Sequence, residues 1–116
     1  MKPIIVGEIS EDLASKIGIE AANIEIYKRS LIHISQKHQT ELAQLGMTGL
    51  AFVKFILQSF TEIRKGKRHE LFLIVRSRLS KVAIIRMNFE RKAYKIESAT
   101  VMEDKYLKNK DLIWKK

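Results

Sequence analysis

Cysteine is absent from this 116-residue chain, which excludes disulfide staples and thiolate metal sites together. Proline occurs once and glycine five times, and no Pro- or Gly-rich tract marks a linker. No apolar run approaches the roughly 18 residues that span a bilayer. The opening MKPIIVGEIS turns acidic too soon for a secretory signal. None of the three histidines has a histidine partner four residues on, and HExxH does not occur, so zinc is not expected. These absences fit a cytoplasmic chain, for which neither membrane association nor a cofactor is expected. Regular aromatic interleaving of the kind that lines an RRM-type platform is also lacking.

What is present suits one compact domain over residues 1–116, since a chain of this length has room for a single core. Hydrophobic residues make up 46% and charged residues 30%, the balance of a globular chain. The charge is unevenly spread. Residues 1–60 hold six Lys/Arg and six Asp/Glu, whereas residues 61–116 hold sixteen and seven, so the whole excess of nine lies in the second half. A one-sided basic surface commonly meets a polyanion, because Lys and Arg neutralise phosphates and release counterions. A merely solvated lysine-rich surface has the same composition.

The stretch LIHISQKHQTELAQL, residues 31–45, is expected to be an amphipathic helix. Leu31, Ile34, Leu42 and Leu45 recur at helical spacing. At about 100° per residue His38 falls within that apolar stripe, while His33 and Lys37 share another side. On spacing alone His38 reads as a satisfied core histidine and His33 as a surface one. Before this helix come a short strand at 4–6, a helix capped by Ser10 and stopped by Gly18, and a short edge strand at 23–27. Ser30 is expected to cap the central helix, and Thr48 a second, very apolar helix over 49–61.

From Glu62 the period changes from helical to two. EIRKGKRH reads as a basic connector. ELFLIVR (70–76) and KVAIIRMN (81–88) read as strands joined through SRLS, and YKIESATV (94–101) as a third. A short helical turn at 104–108 and a final strand or tail at 112–114 follow. Helices first and an antiparallel meander afterwards give the expected fold class: α+β, two helices packed on a three- to four-stranded antiparallel sheet.

Residues 34–38 spell I-x-x-x-H inside LIHISQKH, and the order continues through an EIRKGK connector, LFLIVR, AIIRMN, YKIESA and a KYL turn. This order resembles the phage-associated nuclease domains of the barnase–EndoU–colicin–RelE-like (BECR) group, over about residues 10–115. Where that group often carries Pro-Asp after the second helix, this chain has Phe60-Thr61. The resemblance implies a metal-independent ribonuclease, or a nuclease-like toxin domain of phage or prophage type, with RNA as partner and an immunity or antitoxin protein as a second one. It implies catalytic roles for His38, His33 and Ser98. Lys67, Arg76, Arg86 and Tyr94 would hold phosphate or RNA, Tyr94 lying on the same strand face as Ser98.

Those residue types suit the chemistry. Cleaving RNA without a metal needs a base for the ribose 2′-hydroxyl, an acid for the leaving oxygen, and cations around the phosphorane. Histidine can serve either proton role near neutrality. Each residue keeps a plain alternative: Ser98 as an ordinary strand residue, Arg76 and Arg86 as solvated strand ends, His69 as a surface group. Glu97 reads first as a cross-strand ion-pair partner and second as a catalytic carboxylate. The alternative functions are a non-catalytic nucleic-acid-binding domain and a phage protein-interaction module.

Overall fold

The structure, a computed structural model, describes residues 2–37, 39–77 and 80–116, the side chains of residues 41 and 45 excepted. In chain order it runs β1 (Ile4–Ile9), α1 (Glu11–Ile17), β2 (Ala22–Ile26), α2 (Lys28–Lys37), α3 (Gln39–Leu45), α4 (Gly49–Ser59), β3 (Glu62–Lys65), β4 (Glu70–Arg76), β5 (Lys81–Glu90) and β6 (Ala93–Glu103). A 3₁₀ turn (Asp104–Asn109) and β7 (Asp111–Lys115) close it.

The class is α+β, but the expected architecture of two helices on three or four antiparallel strands is wrong. One mixed sheet of seven strands runs in the order β1-β2-β6-β5-β4-β3-β7. Three departures enlarge it. The 23–27 segment is not an edge: β2 lies between β1 and β6, and its pairing with β6 is parallel. The basic connector begins as strand β3, paired with both β4 and β7. Three of its four residues are charged, so it carries no apolar alternation, and Glu62 is buried with ion-pair partners both on its own strand, Arg64, and across the strand, Arg76. The first strand does not end at Gly7 but runs through it to Ile9.

Local signals hold where a side chain settles them. Ser10 Oγ accepts from Leu13 N at 3.2 Å, and Gly18 takes the left-handed conformation (φ 73°) that ends α1. Thr48 Oγ1 accepts from Ala51 N at 3.1 Å and starts α4. Ser30, the expected cap, lies inside α2, whose first turn closes through Leu31 N to Tyr27 O. The β5–β6 hairpin turns on Arg91 and Lys92, both at positive φ (50° and 66°), the geometry of a tight primed turn.

The register places two cores on the two faces of the sheet. Leu71, Leu73, Ile85 and Met87 pack with Ile34 of α2 and with Phe52, Val53 and Ile56 of α4. Burying each such side chain contributes roughly 1.5–3 kcal/mol. On the opposite face Phe72, Ile74, Val82 and Ile84 form a smaller cluster closed by Leu107 from the 3₁₀ turn.

One irregularity positions the site. Arg86 pairs with Ser98 and Met87 with Ile96, so Glu97 is an extra residue, a β-bulge in β6. Before the bulge, Tyr94 and Ile96 face the helices; after it, Ala99 and Val101 do. Strand β2 pairs with β6 only at Ile24–Tyr94 and Glu25–Lys95, and the chain then leaves into α2. Among the described residues no strand pairs with β6 on that side beyond the bulge. Helix α2 packs there instead.

A candidate site along the open edge of β6

Six consecutive residues of β6, 97–102, line one cleft of about 510 Å³. A strand seen from one face shows only alternate residues, so a continuous run means that the cleft follows the strand's free edge. Opposite that edge stand His33 and Lys37, one turn apart on the exposed side of α2, held over the cleft by the fully buried Ile34 beside them. From the sheet come Arg86 and the ring of Phe72, and from the 3₁₀ turn the ring of Tyr106.

The cleft's charged groups are wired together. Arg86 Nη1 lies 3.6 Å from Glu70 Oε2, and its Nη2 lies 3.5 Å from Glu97 Oε2. Asn88 donates to the other oxygen of Glu97. Nε of Arg86 is buried and has no hydrogen-bond partner among the described residues. A buried donor left without an acceptor costs about 1–3 kcal/mol. Ser98 and Thr100 are half-buried hydroxyls on the wall between Arg86 and the helix.

Of the residues expected from the sequence, the cleft brings together His33, Ser98 and Arg86. His38 lies outside the described residues, as does the tip of the SRLS turn. Tyr94 does not share a face with Ser98. The bulge at Glu97 breaks the alternation between them, and Tyr94 is buried against the helix side, its hydroxyl donating to Glu20 O at 2.7 Å. Burial, and then the nearby Glu20 charge, push its phenol above the ordinary tyrosine value.

Arg76 is committed elsewhere. Its Nε donates to Glu62 Oε1 at 2.9 Å, and Arg64 engages the other oxygen of the same carboxylate. Glu62 is 1% exposed. Burial alone would raise its pKa, but the hydrogen bonds and charges of Arg76 and Arg64 outweigh it and hold the carboxyl below the usual range. The same bond raises the Arg76 guanidinium further. Lys67 lines a separate cleft, which meets the first at Phe72 and Tyr106.

Sequence reasoning gave Glu97 a minor role and left out Lys37, Thr100 and Tyr106. The i, i+4 spacing of His33 and Lys37 was a readable signal. The bulge that turns Glu97 toward Asn88 and Arg86 was not.

Comparison with known proteins gives no match among family models, curated proteins or solved structures. Among the described residues no helix is long and apolar enough to cross a membrane.

Proposed function

We propose that this chain is a metal-independent ribonuclease acting through the β6-edge cleft, in keeping with the BECR-like order of its sequence. The observation that carries the reading is the convergence of His33, Lys37, Arg86, Glu97 and Ser98 on one open cleft. Glu97, facing Arg86 and accepting from Asn88, takes the proton of the ribose 2′-hydroxyl. The 2′-oxygen attacks phosphorus, the 5′-oxygen leaves with a proton from His33, and a 2′,3′-cyclic phosphate results. Arg86 and Lys37 face the charge that accumulates on the phosphorane, and Ser98 orients a non-bridging oxygen. With RNA as substrate, the cytoplasm is the place of action.

The test is cleavage of a single-stranded RNA in excess EDTA. Cutting should persist, stop at a single 2′-deoxyribose placed beside the scissile phosphate, and leave cyclic or 3′-phosphate ends. His33→Gln and Glu97→Gln should each lower turnover by roughly 10²-fold or more with melting nearly unchanged. Activity abolished by EDTA and restored by magnesium would sink this mechanism, as would inertness toward RNAs of many sequences. A second reading, a nucleic-acid-binding domain without turnover, draws on Arg86 being shared between Glu70 and Glu97, as in a purely structural network. RNA that binds and is never cut would favour it.

A further inference from the structure

Phe72 and Tyr106 are walls of two clefts at once. Beyond them lies a second cleft of about 550 Å³, whose cations are Lys65, Lys67 and Lys110 and whose carboxylates are Glu70 and Asp111. The two rings meet edge-on, centroids 6.3 Å apart at 70°. Phe72 is 1% exposed and holds the pair from beneath; Tyr106 is 37% exposed and forms the ridge between the clefts. The Lys110 ammonium stands 4.8 Å from the Tyr106 centroid and 5.5 Å from that of Phe72. Glu70 is drawn away from the lysine side chains, toward Arg86 and the backbone N–H of Lys67. Among the described residues neither Lys65 nor Lys67 has an ion-pair partner for its ammonium, and both are exposed.

Free ammonium groups on one side, His33, Lys37 and Arg86 on the other, and an exposed ring between them are the groups that a single-stranded nucleic acid with an unstacked base would engage. We propose that a single-stranded RNA crosses both clefts over Tyr106. The phosphodiester to be cut lies in the first cleft, a neighbouring phosphate at Lys65, Lys67 and Lys110, and the base between them against the Tyr106 ring. This assignment rests on the ribonuclease reading of the first cleft and adds a substrate-length requirement to it. A duplex keeps its bases stacked and gains nothing from the ridge.

The test measures competition by an unlabelled dinucleotide and an unlabelled octanucleotide against a dye-labelled single-stranded octamer, all 2′-O-methylated so that the chain cannot cut them. The wild-type chain should prefer the octanucleotide strongly. Lys67→Ala with Lys110→Ala, and separately Tyr106→Leu, should each cut that length preference by on the order of ten-fold. The double variant should also flatten the log–log salt dependence by about 0.7, the loss of one phosphate contact on a single strand. Tyr106→Phe should keep the preference, which separates ring stacking from the loss of a hydroxyl. Melting curves identify a variant that fails to fold; Lys67→Gln alone, at an exposed position, then carries the salt test. The proposal is overturned if the length preference is unchanged in both variants, or if a duplex competes as well as the single strand. An RNA that is cut with no length preference ends this proposal and leaves the first cleft standing; a chain that binds no RNA of either length ends both.

Discussion

Arg76→Ala separates the two roles this side chain can have. As a phosphate ligand it would be dispensable to the fold; as the partner of Glu62 it is part of the frame. Its guanidinium contacts Glu62 at 2.9 and 3.3 Å and reaches Asp104 at 4.0 Å. Arg64, on the other carboxylate oxygen, donates onward to the carbonyls of Leu107 and Lys110 at 3.3 and 3.0 Å. The cluster therefore ties β3 and β4 to the 3₁₀ turn that closes the smaller core. A hydrogen bond to a charged group contributes about 1.5–3 kcal/mol, but the Arg76 side chain is 41% exposed and water replaces part of the interaction. The net loss for Arg76→Ala is then about 1–2 kcal/mol. Glu62→Gln leaves two guanidinium groups side by side without their counter-charge and should cost about 3 kcal/mol. At about 2.1 cal/mol/K per residue, 116 residues give an unfolding entropy of about 0.24 kcal/mol/K, so the midpoints should fall by about 4–8 °C and about 12 °C. The pH dependence has a definite sign. A carboxyl held below its unfolded value contributes stability that is full above the unfolded pKa of about 4.3 and is lost as pH falls through the folded one. The gap between wild type and Glu62→Gln should stay constant from about pH 7 to 5 and narrow below about pH 4. Circular-dichroism melts across that range, with RNA binding measured alongside, decide it. Arg76→Ala that melts with wild type while binding RNA more weakly would refute the structural assignment.

Lys37→Ala, at an exposed position in the first cleft, should reduce the salt dependence of RNA binding by about 0.7 and leave the melting temperature unchanged; an unchanged slope would remove Lys37 from the site. Tyr94→Phe should cost about 1 kcal/mol in a denaturant titration, through the lost bond to Glu20 O, and leave RNA cleavage alone. A selective loss of cleavage would return Tyr94 to the site. Gly49→Ala would place a methyl against Ser35 and 3.5 Å from Leu31 Cδ1 where α4 meets α2, and should destabilise by about 1–2 kcal/mol despite alanine's better helix propensity. Ser35→Gly should recover part of that loss, and a more stable Gly49→Ala would show that the helices move apart freely.

The sequence was most legible where one residue acts alone. Ser10, Gly18 and Thr48 each settle a helix end by a single bond or dihedral angle, and they stand where the spacing puts them. The long strands β4, β5 and β6 were visible as runs with a period of two. What stayed hidden depends on partners distant in the chain. Strand β3 has no apolar pattern of its own, and the buried Glu62 is neutralised by Arg64 beside it together with Arg76, fourteen residues later. Strand β2 looked like an edge because nothing local announces its parallel pairing with Tyr94 and Lys95. Part of the site shared this fate. His33, Arg86 and Ser98 could be named as single residues, but one extra residue at Glu97 decides that Ser98 faces Arg86 while Tyr94 turns away.

The same dependence explains why the basic excess does not translate into a uniform phosphate face. Arginine, with its planar fork of donors, is drawn to carboxylates that need several bonds at once. Here Arg64 and Arg76 share Glu62, and Arg86 is divided between Glu70 and Glu97. Lys95, buried over the Tyr27 ring, is held by Glu25. Five of the groups that looked available from composition, these three arginines with Lys95 and Lys105, therefore already face a carboxylate. Among the described residues, the cations left without a carboxylate at the two clefts that meet at Tyr106 are lysines, Lys37 on one side and Lys65 and Lys67 on the other. A lysine ammonium is a flexible point charge that suits a backbone phosphate, and a contact to phosphate carries no sequence information. Attraction to RNA should accordingly be strongly salt-dependent and indifferent to sequence, while any choice among nucleotides falls to the Tyr106 ridge and to the two hydroxyls, Ser98 and Thr100, on the edge of β6.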